Sequence, residues 1–95
     1  MAYNAEELRW RAAVLSLECC VRCGQYGVEW AHRNYGKGMA LKVSPDQTAA
    51  LCHDCHHEID KGRDYTREER RAIMDAAIVE THHRLYNAGL LKLAR

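Results

Sequence analysis

The sequence predicts a small α+β domain organised around a metal staple, with a helix on either side of a short β-rich core. Three observations predict it. Two Cys-x₂-Cys pairs, Cys20/Cys23 and Cys52/Cys55, bracket a stretch that carries β-forming residues. Two capping boxes, Asn4/Glu7 and Thr66/Glu69, open helical patterns before the first pair and after the second. A chain of 95 residues buries only a modest core, so a bound metal would contribute usefully to its stability. There is no internal repeat and no low-complexity segment, so residues 1–95 read as one domain with its motif core at residues 20–61.

The elements follow in order. After the Asn4 cap, Leu8, Ala12 and Leu15 recur at helical spacing, with Trp10, Val14 and Leu17 widening the apolar face, which predicts a packing helix over residues 5–17. Cys20 and Cys23 then form a tight knuckle, with Gly24 free to take a left-handed backbone. Cys19 is expected to be a small buried hydrophobe. Residues 28–32 alternate and end in His32, a short strand. Two glycines make residues 33–38 a surface loop, residues 39–43 suit a brief extended segment, and the lone proline, Pro45, marks a turn. Residues 48–51 are a second strand or an approach to a helix. That helix starts near Asp54 and stops at Gly62, a residue suited to the position after a helix end. The longest helix runs from the Thr66 cap to about Asn87, with Met74, Ile78 and Leu85 on its apolar stripe. His82 and His83, being adjacent, point to different faces and are expected to pack or to be solvated.

Hydrophobic residues make up 47% of the chain, many of them alanine, and no run is long enough to span a bilayer. No membrane association is therefore expected. Glu6, Glu7, Arg9 and Arg11 interrupt any apolar leader, so an intracellular, reducing setting is the expectation. There paired cysteines favour metal over disulfide, and the odd count of five would leave one thiol over in any case. The net charge of +1 carries no global message, but Arg33, Lys37 and Lys42 stand between residues 30 and 45 with no acid among them. They are the candidate phosphate contacts.

Residues 51–62 hold two of the five cysteines and three of the six histidines, more ligand chemistry than packing needs. Cys20, Cys23, Cys52 and Cys55 together read as one structural Zn²⁺ site. Behind it, His56 and Asp60 are four apart on a helix, so their side chains emerge on one face. An imidazole and a carboxylate there would hold Mg²⁺ or Mn²⁺ with open positions for water and phosphate oxygens. His32, arriving from the strand, would be a general base, since imidazole is suited to deprotonating water near neutral pH. His53 and His57 are also four apart, and spacing alone leaves that pair open as an alternative.

The order Cys20-x₂-Cys23-Gly, then Trp-Ala-His32, then Leu51-Cys52-x₂-Cys55-His56 resembles the zinc-containing HNH endonucleases, also called ββα-metal or His-Me finger nucleases. The resemblance covers roughly residues 20–61. The segment from Cys55 to Asp60 also looks like small prophage-encoded nucleases of the YbcO type, and Ala31-His32 like phage recombination nucleases with an Ala-His motif. What this implies is a zinc-stapled ββα-metal core, treble-clef-like, flanked by N- and C-terminal helices. By position His32 matches the general base, His56 a helical metal ligand and Asp60 a second one. Gln47 stands where the family has its middle Asn. Ala31 and Gln47 depart from the common pattern, and Asp60 is the expected replacement carboxylate, with Glu29 or Asp46 as substitutes.

The resulting expectation is a metal-dependent DNA endonuclease of phage or prophage DNA processing or recombination, acting in the cytoplasm of a bacterial host or phage-infected cell. The alternatives are a non-catalytic zinc module that binds nucleic acid or protein, and a nuclease acting only with a recombination or packaging protein. The stripe of Met74, Ile78 and Leu85 would serve either the core or a homodimer, and for so small a domain the core is the expectation.

Overall fold

The computed structural model describes residues 3–33 and 44–92. Lys37, Lys42 and the extended segment expected at 39–43 lie outside them. The order is α1 (Ala5–Leu15), β1 (Glu29–His32), β2 (Thr48–Leu51), α2 (His53–Lys61) and α3 (Arg67–Asn87). Both capping boxes form as the sequence predicts: Asn4 with Glu7, and Thr66 with Glu69. Helix α1 ends two residues earlier than its apolar pattern suggests. The Ser16 N–H bonds back to the Ala12 carbonyl and the Leu17 N–H to the Val14 carbonyl, and Glu18 then takes a positive φ of 67°, which reverses the chain. Leu17 still packs on the core from this turn. Among the described residues no helix is long and apolar enough to cross a membrane.

The two strands pair antiparallel in the register Glu29↔Leu51, Trp30↔Ala50, Ala31↔Ala49 and His32↔Thr48. Side chains alternate across a sheet, so β2 serves two cores at once. Ala49 and Leu51 pack with Ala31, Ile59, Met74 and Ile78 on one side; Ala50 packs with Val14 and Leu85 on the other. All four β2 residues are buried, and the small alanines let helices approach both faces closely. The outward backbone of β2 is also satisfied. The Ala50 N–H reaches Thr81 Oγ1 at 3.2 Å, and its carbonyl accepts from the Val21 N–H at 3.0 Å. Met74, Ile78 and Leu85 are all core residues, as expected of that stripe.

Two glycines behave differently from each other. Gly24 has φ +84°, the left-handed backbone the knuckle needs. Gly62 does not: its φ of −65° and ψ of 151° are open to any residue. It is held to glycine by space, because a Cβ there would lie 2.3 Å from the Glu58 carbonyl oxygen.

Thr48, fully buried, joins three elements through one hydroxyl. Trp10 of α1 and Trp30 of β1 both donate their indole N–H to its Oγ1, at 3.2 and 2.9 Å, and the hydroxyl donates to the Pro45 carbonyl at 2.7 Å. That uses its single donor and both lone pairs. Thr48→Val preserves the shape and strands both indoles; we expect it to cost about 2–4 kcal/mol in urea unfolding, with Thr48→Ser losing less than half of that.

Candidate functional site

Residues 19–27 fold back on themselves as a knuckle. Cys19 bridges Tyr26, the Cys20 N–H bonds the Gln25 carbonyl at 2.8 Å, and the Gly24 N–H bonds the Cys20 carbonyl at 2.9 Å. This brings Cys20 and Cys23 against the start of α2. Cys52 is the N-cap of that helix, and its sulfur accepts from the Cys55 N–H at 3.5 Å. The Cys-x₂-Cys spacing therefore matches the N-cap to N3 distance of a helix start. The ligand atoms of Cys20, Cys23, Cys52 and Cys55 all lie within 4.8 Å of one another, and Cys23 and Cys52 have their sulfurs 3.6 Å apart. Thiolates around a tetrahedral zinc at ~2.3 Å stand ~3.8 Å apart, so this set fits a structural metal such as zinc. Four sulfurs complete the coordination and leave no open position for a substrate. Cys19 is half-buried and is not part of the cluster.

The electrostatics of the bare thiols point the same way. Burial alone would raise Cys20, but N–H donors from Cys52, Cys23 and Arg22 outweigh it and bring it down to about 6. Burial pushes Cys55 up to about 12, with its thiol neighbours adding to the rise; burial also raises Cys52, which Cys55 draws partly back while Cys23 and Cys20 oppose it. A cation removes that mutual opposition. Arg22 points its guanidinium at Cys55 Sγ, 3.7 Å away, and is held by Glu58 at 2.5 Å. The start of α2 adds its own positive end to the site.

A second group of side chains lies along β1 and α2. His56 Nε2 is 3.2 Å from Asp60 Oδ2, confirming that the pair share a helix face. Its Nδ1 lies 2.7 Å from Glu29 Oε1, while His53 Nδ1 lies 3.1 Å from Glu29 Oε2. Glu29 thus spans two imidazoles, which hold its carboxyl below the usual range, His56 more than His53. His57 is exposed and stacks on His53. Among the described residues, the four cysteines are the one group of three or more such side chains gathered within 4.8 Å.

His32 ends β1, half-buried, with its ring 4.4 Å from that of Trp30 and 6.4 Å from that of Tyr3. It lines a cavity of about 220 Å³ together with Asp60, Arg67, Arg70 and Arg71, over a floor of Ile59 and Met74. The structure therefore brings His32 and Asp60 to one cavity, with His56 bonded to Asp60 from the side. Asp46 lines a different cavity, with Asn4, Glu6 and Glu7, and its carbonyl accepts from His82. Ala31 points the other way from His32 and is completely buried in the core, where a carboxylate would be desolvated. Arg33 is tied down: it donates to Gln47 Oε1 at 2.9 Å and lies 3.8 Å from Asp75. Gln47 also accepts the Arg33 N–H on its backbone carbonyl at 3.0 Å, closing the open end of the strand pair.

The three arginines are the feature that motif reading passes over. Their signal was present as spacing, since positions 67, 70 and 71 fall on one helical face. They lie outside the motif core, however, and only the packing of α3 against α2 carries them to His32.

Comparisons with protein-family models, with curated proteins and with solved structures return no significant match for this chain.

The cysteine cluster makes a direct prediction. The purified protein should carry one zinc per chain, replaceable by Co²⁺ with sulfur-to-metal charge-transfer absorption. Cys52→Ala removes a ligand and the α2 cap together, and should abolish both metal content and cooperative unfolding.

Proposed function

We propose that this protein is a metal-dependent DNA endonuclease of the HNH type. One observation carries the reading: a histidine from β1 and a carboxylate from α2 open onto the same cavity, which three arginines also line. The order of the motifs supports it, with His32 and His56 falling where the family places its base and a helical ligand. The four cysteines would bind a structural Zn²⁺, which fixes the knuckle to α2 and so orients the helix that bears His56 and Asp60.

His56 and Asp60 would offer a divalent cation one imidazole nitrogen and one carboxylate oxygen. Adjacent ligands of an octahedral ion at ~2.1 Å stand ~3.0 Å apart, close to the 3.2 Å between Nε2 and Oδ2. A divalent cation such as Mg²⁺ or Mn²⁺ would supply charge neutralisation on the phosphate and its leaving oxygen. The chain's own residues do the rest. His32 takes a proton from a water whose oxygen forms a new bond to phosphorus. The bond from phosphorus to the 3′ oxygen breaks and that oxygen takes a proton from solvent, leaving a 5′ phosphate and a 3′ hydroxyl. Trp30 and Tyr3 pack on the His32 ring and limit its reorientation. On the resemblance to phage and prophage nucleases, such cleavage would serve phage DNA processing or recombination.

A second reading has one observation in its favour. His56 is engaged on both nitrogens, by Glu29 and by Asp60, as a purely structural network would have it. On that reading the chain is a zinc module that binds DNA or protein without cutting.

Incubation with plasmid and branched DNA in Mg²⁺ or Mn²⁺ separates the two. Cleavage should stop on chelation of the divalent cation, and His32→Ala should lower its rate by about 10²-fold or more with metal content and melting unchanged. Equal traces of cleavage in wild type and His32→Ala would sink the endonuclease reading.

A further inference from the structure

We propose that Arg22 is a positioning residue of the metal centre: its guanidinium, clamped by Glu58 and Tyr65, donates to the Cys55 sulfur and so sets how tightly the cysteine cluster holds its ion. This rests on the cluster's binding zinc and is independent of the endonuclease reading.

Four thiolates around Zn²⁺ carry negative charge in excess, and three of the four cysteines are buried. Buried charge is costly unless donors meet it. The backbone supplies part of the set. N–H groups of Cys52, Cys23 and Arg22 face Cys20, and the Cys55 N–H faces the Cys52 sulfur. Cys23 is exposed to water. Cys55, 7% exposed, takes its donor from a side chain: Arg22 Nη1 lies 3.7 Å from its Sγ.

Arg22 stands between the two cysteines of the first pair, so the knuckle that presents Cys20 and Cys23 also carries a guanidinium to the second pair. Cys55 and Glu58 are three apart on α2 and share a face. The two hydrogens of Nη1 can therefore be divided between them, with Glu58 Oε1 2.5 Å away. Nη2 donates to the Tyr65 hydroxyl at 3.3 Å, and the guanidinium carbon lies 5.7 Å from the centre of that ring. A planar fork with partners at both tips is held in one orientation before any metal arrives. The ion pair alone does not account for this. With side chains 27% and 34% exposed, Arg22 and Glu58 would add little to stability as a surface pair, which needs neither the sulfur nor the ring. Side chains that hydrogen-bond a metal's ligands, by contrast, change affinity substantially.

The test is competition for zinc between the protein and a chromophoric chelator at fixed pH, with the Co²⁺-substituted protein read by absorption. Arg22→Gln should weaken zinc binding about ten-fold or more. It should also move the sulfur-to-cobalt charge-transfer band to longer wavelength, because an N–H held against sulfur lowers the energy of the electrons that are transferred. Glu58→Gln removes the ion pair but keeps an acceptor beside Arg22, and should move the band less than half as far. Unchanged zinc affinity in Arg22→Gln, an unmoved band there, or an equal shift in Glu58→Gln overturns the inference and leaves Arg22 as a packing contact of the knuckle. Should Arg22→Gln fail to fold or to load metal, Arg22→Lys decides. One ammonium cannot meet sulfur, carboxylate and hydroxyl in the geometry of the fork, so zinc binding should weaken about three-fold or more. Affinity and band equal to wild type in Arg22→Lys would then overturn the inference. A wild type that binds no metal overturns it together with the metal site; stoichiometric zinc in the wild type with unchanged affinity in the variants overturns the inference alone.

Discussion

Cys52 occupies a position where two physical requirements coincide. As the N-cap of α2 it must present an acceptor to the N–H of the residue three along, and any metal that the cluster held would have to be shared with the thiolate of that same residue. One spacing satisfies both. The residue is also the first after β2, so the strand, the helix start and the cysteine cluster are fixed by a few atoms around one sulfur. The orientation of α2, and with it the direction in which His56 and Asp60 point, follows from that arrangement.

Around this point the fold is economical in material. β2 is four residues long and buried on both faces, so each of its side chains is small or wholly apolar except Thr48. Thr48 is polar because two indoles and a carbonyl converge on it. Its register partner is His32. The contacts that hold α1 to the sheet thus end one residue across from the proposed general base, which ties the placement of that imidazole to the packing of the N-terminal helix.

The polar chemistry divides into two regions of opposite character. The cysteine cluster is closed and three-quarters buried, its fourth member, Cys23, being the exposed one. The His32 cavity is open and walled by arginines. Glu29 lies at the boundary, bonded to His53 and His56 at the start of α2. This accounts for Glu29 and for the histidine at 53, which spacing alone left without a partner. It also explains why alanine stands at 31: that position faces the core, and the carboxylate nearest His56 from β1 comes two residues earlier.

Local patterns in the sequence determined the helices, both capping boxes, the first strand and the two cysteine pairs, because each depends on residues a few positions apart; that residues 48–51 form a strand was settled by their pairing with β1. The exact ends escaped it: α1 stops at Leu15 through the Ser16 bonds and the turn at Glu18, and Gly62 is required by crowding from Glu58 rather than by its own torsions. What only the tertiary structure decided is which charges share a space. Arg33 was legible as a free cation and is instead held by Gln47 and Asp75, while Arg67, Arg70 and Arg71 belong with His32 although thirty-five or more positions separate them. Periodicity reports the face of a helix on which a side chain lies. What that face meets depends on how α3 packs against α2 and the sheet, which no local pattern encodes.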